Sequence, residues 1–236
     1  MEKIEKKYWD KVRKWRFLFR MVPFVKMVSV CNNLSFGIVD DCSDIDLFVV
    51  TKRGRLYGAR FFMNLLMRMF GIRVYGKKVC GRFCLSFFVD EDNLDMKKFA
   101  YKDDVYLAYW VYKLQPVVDR GVYGGFLEAN VWVLPIVEKK EFGSDLGAVK
   151  NCSGCGWSFG KLGDRFEAKI KKMQMVRLVK KIDVLEDGKS VVVSDGVFKI
   201  HSDDMRKKFR DIFRSRVERG FDESEFLAIL QKKKSL

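Results

Sequence analysis

The chain reads as an α+β protein: a mixed sheet flanked by helices, followed by a mainly helical C-terminal region. Three observations predict this. Apolar, β-branched and aromatic runs at 24–31, 44–51 and 79–89 have the length and composition of strands. Around them, apolar residues recur at helical spacing, from Ile4 to Phe19, from Leu56 to Phe70 and from Phe166 to Val179. Hydrophobic residues make up 48% of the 236 positions, enough for a full-sized core, which excludes global disorder. No internal repeat is visible.

The elements follow in order. Residues 2–20 form a basic amphipathic pattern with Ile4, Tyr8, Trp9, Val12, Trp15 and Phe19 on one side. Such a helix can lie on an anionic membrane, but Pro23 leads straight into a core strand, which favours packing on its own domain. Strands at 24–31 and 44–51 are separated by a turn closed by Gly37 and a short acidic loop. Lys52-Arg53-Gly54 turns the chain into an amphipathic helix at 56–70, stopped by Gly71. A third strand, 79–89, ends in the acidic turn Asp90-Glu91-Asp92. Helical patterns at 103–114 and 122–133 are each followed by a proline, Pro116 and Pro135; Tyr106, Tyr109, Trp110 and Tyr112 fit a core better than a base-stacking platform.

Residues 138–163, rich in Gly, Ser and Lys, read as a long loop. The expected division is a first domain at 1–135, a linker at 136–163 and a basic region at 164–236. That last region begins with a basic helix at 164–181 and continues with a hairpin, 191–194 and 197–200, turned at Asp195-Gly196. Two helices close it, 202–219 and 222–232, with Ser202, Asp203 and Asp222 as capping residues.

Forty-six Lys and Arg against 31 Asp and Glu give a net charge of +15, which points to anionic partners: nucleotides, RNA, DNA or an acidic surface. The same excess also serves as solubilising charge on helix faces. The N-terminus lacks the apolar core of a secretory signal, and no run approaches the roughly 20 apolar residues of a membrane span. The expectation is a cytoplasmic protein with no membrane span and mostly reduced cysteines. Cys152 and Cys155 have zinc-knuckle spacing, but the only other close pair is Cys80 with Cys84, so an ordinary loop outweighs zinc or a redox pair. His201, the single histidine, fits a structural hydrogen-bonding residue between strand and cap.

The chemistry concentrates at 30–50. Residues two apart on a strand face the same way, so Asp44 and Asp46 project together while Ile45, Leu47 and Val49 face the opposite side. Neighbouring carboxylates repel unless a cation sits between them. Mg²⁺ (or Mn²⁺) takes hard oxygen ligands, usually one or two carboxylates completed by substrate phosphates. Asp44 and Asp46 are therefore the candidate metal ligands and catalytic residues.

The order of strand, small polar turn and Asp-x-Asp resembles the nucleotidyltransferase domain of the DNA polymerase β superfamily, above all its small bacterial nucleotidyltransferase-like members. The residues that carry the resemblance are Asn32-Asn33-Leu34-Ser35-Phe36-Gly37 and Ser43-Asp44-Ile45-Asp46-Leu47, and it covers about residues 22–90. It implies an NTP held by Asn32, Asn33, Ser35, Gly37 and Ser43, with Arg55 and Arg60 gripping the triphosphate. Two positions depart from the family pattern. Asn32-Asn33 replaces the usual Gly-Ser; asparagine tolerates a left-handed backbone, and Ser35 offers a hydroxyl. The third carboxylate falls on Ser86, and Asp90 lies about 13 Å further along that strand.

Two functions follow. The first is a nucleotidyltransferase moving an NMP from a Mg²⁺–NTP to a hydroxyl acceptor. The alternative is a catalytically degraded copy of the fold that binds nucleotides or nucleic acid. Lys77, Lys78 and Arg82, with the basic helices, would then hold RNA through its phosphates.

Overall fold

The computed structural model describes residues 2–142, 160–182, 191–200, 206 and 221–234. The expected features at Cys152, Cys155, His201, Ser202 and Asp203, and the helix expected at 202–219 apart from Arg206, lie outside the described residues.

The α+β class holds. A long helix, α1 (Glu2–Met21), leads into β1 (Val25–Cys31), a single helical turn α2 (Asn32–Ser35) and β2 (Ile45–Thr51). Then come α3 (Leu56–Met69), β3 (Phe83–Asp90), a 3-10 turn (Met96–Phe99), α4 (Val105–Tyr112) and β4 (Gln115–Asp119). The remaining elements are α5 (Tyr123–Ala129), α6 (Val133–Ile136), α7 (Gly160–Ile182), β5 (Val191–Val193), β6 (Val197–Ile200) and α8 (Glu223–Lys234).

The six strands form one mixed sheet in the order β4-β1-β2-β3-β6-β5. β2 and β3 pair in parallel, as the long crossover through α3 allows, and the other pairs are antiparallel. Both faces are covered, so the central strands are apolar nearly throughout. On one face α1, α3 and α7 pack over Val28, Val30, Ile45, Leu47, Val49 and Phe83. On the other, α4, α5, α6 and α8 pack over Met27, Phe48, Val50 and Phe87. Trp110 is core, as its spacing predicts, with its ring 5.3 Å from Phe48 and 5.7 Å from Phe87. Among the described residues no helix is long and apolar enough to cross a membrane.

Several elements differ from the sequence expectation. β4 is a strand where Pro116 suggested only a helix stop. It pairs with β1 at the sheet edge, where a missing N–H is tolerated. The helix expected at 122–133 breaks in two at Asn130, which is fully buried. Its side chain donates to the carbonyls of Leu94 and Phe126 and accepts from the Met96 amide and the Trp132 indole. The third strand starts at Phe83 rather than 79, because a turn at Gly81 (φ +61°) precedes it. The hairpin at 191–200 does not stand apart from the first sheet: β6 extends it beside β3.

Candidate functional site

β1 ends at Cys31, and Asn32 then takes the left-handed conformation, φ +56°. That reversal starts the one-turn helix α2, closed by the bond from the Phe36 amide to the Asn32 carbonyl at 3.0 Å. Ser35 Oγ donates to the same carbonyl at 2.9 Å, so its hydroxyl serves the turn. Gly37 (φ +73°) ends it, and the Ile38 amide donates back to the Asn33 carbonyl. The expected polar turn is thus a helical turn followed by a glycine reversal.

The acidic loop is fastened by its own side chains. Ser43 Oγ accepts from the Asp40 amide at 3.0 Å and donates to Asp40 Oδ1 at 2.9 Å. The Tyr8 hydroxyl is shared between the carbonyls of Asp40 and Asp41. Ser43, buried, therefore shapes the approach to β2 from within the loop.

Beyond this loop Asp44 and Asp46 project together, as the two-residue period predicts. A carboxylate oxygen of each and the Cys84 sulfur lie within 4.8 Å of one another, and all three residues are partly exposed. Asp46 is paired in register with Cys31 of β1 on one side and Cys84 of β3 on the other. Asn32 Nδ2 donates to Asp46 Oδ2 at 2.9 Å, and the Tyr106 hydroxyl stands 3.5 Å from Asn32 Oδ1. The sequence had placed Ser86 where a third acid was expected. It is Cys84 that meets the pair, and Ser86 touches Cys84 instead. The pairing of β2 and β3 slips by one residue between Asp46 and Phe48, so local alternation alone does not give this alignment.

The thiols here are held protonated. Burial comes first for Cys84, then the charges of Asp46 and Asp44; together they push its pKa well up, and the thiol donates to Asp46. Cys31, fully enclosed, is raised by burial and then by Asp46, while the Trp110 indole bonds its sulfur. Two carboxylates suit a hard divalent cation, and Cys84 adds a soft donor at the edge of that set. Neither Cys84 nor Tyr106 was singled out as a site residue from the sequence. Tyr106 was read with the aromatic core, and Cys84 only as half of the close pair with Cys80.

Arg55 and Arg60 are not brought to the carboxylates. The helix that carries them, α3, packs on the Ile45–Leu47–Val49 face, whereas Asp46 shares the opposite face with Phe48. Arg55 pairs with Asp164 at 2.6 Å. Arg60 is enclosed between α3 and α7, bonded to Gln174 Oε1 at 2.5 Å with its guanidinium 3.7 Å from the Phe198 ring centre. Burial pulls its pKa down to about 9. Arg82 donates to the carbonyls of Gly71 and Arg73. Asp90, the remaining acid considered for the third position, pairs with Thr51 at the far end of β2 and accepts from Asn93 Nδ2 at 2.7 Å.

Compared with protein-family models, curated proteins and solved structures, the chain matches none.

Proposed function

We propose that this protein binds a nucleoside triphosphate together with Mg²⁺ or Mn²⁺ at Asp44 and Asp46, and transfers its nucleotidyl group to a hydroxyl acceptor in the cytoplasm. One observation carries the reading: the two carboxylates converge at the head of β2, beside a turn whose first residue bonds one of them. In nucleotidyl transfer the acceptor oxygen attacks the α-phosphorus and pyrophosphate leaves. A divalent cation on the two aspartates would supply charge neutralisation on the triphosphate. Asn32, Asn33 and Gly37, flanking the pair, are the residues beside which the phosphates would lie.

A second reading is favoured by Cys84. The third acid of the resembled superfamily falls on Ser86, and the side chain that meets the pair is Cys84, whose thiol burial keeps protonated; neither a hydroxyl nor such a thiol serves as a general base. On that reading the site binds nucleotide, or the phosphates of RNA along the basic surface, without turnover. Incubation with labelled NTPs, Mg²⁺ or Mn²⁺ and RNA or protein acceptors separates the two. Incorporation that requires Asp46 supports the transferase. Saturable NTP binding without incorporation supports the binding module, and no NTP binding refutes both.

A further inference from the structure

Sequence spacing pairs Cys80 with Cys84, but the structure gives each a different neighbour. Cys84, on β3, donates its thiol to Asp46. Cys80 lies in the turn before β3, where its sulfur and that of Cys42 share a hydrogen bond. Cys42 belongs to the acidic loop before β2, and both residues are exposed free thiols. Cys31, by contrast, is buried, and Cys84 is half-buried. Cys42 and Cys80 are thus the one exposed thiol pair among the described residues.

The backbone holds this pair in place. β2 and β3 run parallel, and their bonding continues upstream: the Ile45 amide donates to the Arg82 carbonyl at 2.8 Å and the Gly81 amide to the Ser43 carbonyl at 2.7 Å. Each cysteine comes one residue before the Ser43–Gly81 bond, so the two stand side by side on adjacent segments. Such segments lie roughly 5 Å apart, inside the window of about 4.4–6.8 Å between Cα atoms that a disulfide spans. Tyr8 clamps the same place from α1. Its hydroxyl is shared between the carbonyls of Asp40 at 3.1 Å and Asp41 at 3.0 Å. Its ring lies 3.3 Å from where a Cβ on Gly81 would stand. Burial, then the charges at Cys80, Asp40, Asp41 and Cys42, raise the Tyr8 pKa, which marks both sulfurs as neighbours of that hydroxyl.

We infer that Cys42 and Cys80 are an oxidation site, joined by peroxide into a reversible disulfide that staples the loop leading into Asp44 to the turn leading into β3. One sulfur of the pair attacks a peroxide oxygen and breaks the O–O bond, leaving a sulfenic acid and releasing water. The second sulfur then attacks the first. The S–S bond forms, the S–O bond breaks, and the hydroxyl leaves as water with the second thiol's proton. Two electrons pass from the sulfurs to the peroxide, and a small dithiol returns both cysteines to thiols. The bond to Cys80 comes first among the causes that raise the Cys42 pKa, followed by the charges around it, and this slows the oxidation of Cys42. The bridge joins segments that are already hydrogen-bonded, so it forms without moving the backbone. This inference stands independently of the nucleotide reading.

Treating the full, reduced chain with hydrogen peroxide, and separately with diamide, tests it. Remaining thiols are alkylated, and the protein is digested without reductant for mass spectrometry. The expected result is a peptide pair linked through Cys42 and Cys80, lighter by two hydrogens than the two thiol peptides and separated by dithiothreitol. Cys42→Ser and Cys80→Ser should each abolish that pair, while Cys84→Ser retains it. Because the bridge closes the chain between residues 42 and 80, the oxidised protein should melt about 5 °C or more above the reduced one. Cys80 bridged to Cys84 or to any other cysteine would overturn the proposal. Full alkylation of both Cys42 and Cys80 after both oxidants would do the same. A bridged form that melts no higher than the reduced form would contradict the staple.

Discussion

Asn32, held at φ +56°, donates its side-chain amide to Asp46 Oδ2 at 2.9 Å. One residue thus supplies both the backbone reversal after β1 and a fixed donor on the acid pair. A left-handed residue with a Cβ costs roughly 1–2 kcal/mol, least for asparagine, and hardest for β-branched side chains. Asn32→Gly should keep the fold within about 1 kcal/mol yet weaken cation and nucleotide binding by freeing Asp46. Asn32→Val should destabilise by about 2 kcal/mol. Urea unfolding paired with nucleotide titration of each variant checks both.

Glu167 of α7 closes the start of α3, accepting from the Tyr57 amide at 2.6 Å and the Gly58 amide at 2.8 Å. A Cβ on Gly58 would stand 2.7 Å from Glu167 Oε2. Gly58→Ala should therefore push the carboxylate off its amides and destabilise by about 1 kcal/mol, roughly the worth of a helix cap. In a Glu167→Ala background the obstruction is gone and alanine's helix propensity remains, so the same change should be neutral or stabilising. A double-mutant cycle measures the coupling, and additive effects would argue against this contact.

Glu223 ties α8 to α4. It accepts from the Tyr109 hydroxyl at 2.8 Å and from Lys113 at 2.7 Å, with Lys139 at 3.6 Å. Burial raises its pKa, but the bonds from Lys113 and Tyr109 and the two lysine charges outweigh this and lower it below its ordinary 4.5. A carboxyl lowered in the folded state contributes stability above its unfolded value, and that contribution is lost as pH falls through the folded one. Glu223→Gln should cost about 1 kcal/mol at pH 7, modest because the carboxylate is partly exposed. The difference from the unaltered protein should shrink as the medium is acidified. Chemical denaturation at neutral and acidic pH tests the sign.

How far the sequence could be read depended on whether a feature is local. The shared projection of Asp44 and Asp46 follows from the strand period alone, and it holds. The left-handed turn at Asn32 was legible in residue chemistry. Cys84 was not, because its place opposite Asp46 depends on pairing between β2 and β3 and on the slip within that pairing. Arg60 falls at a polar position of an amphipathic helix, and the resemblance assigned it to the triphosphate. Only the later arrival of α7, with Gln174, encloses it. β4 was hidden by Pro116, which ends a helix and sits at a sheet edge equally well. The junction of β6 with β3 links residues more than a hundred positions apart, beyond any local pattern.

The most direct test of the central claim is anomalous diffraction from crystals grown with Mn²⁺ and a non-hydrolysable nucleoside triphosphate. The expected result is a manganese peak bound by the carboxylates of Asp44 and Asp46, with phosphate density beside residues 32–37. A metal located elsewhere, or triphosphate density only on the α3 face near Arg55, would contradict it.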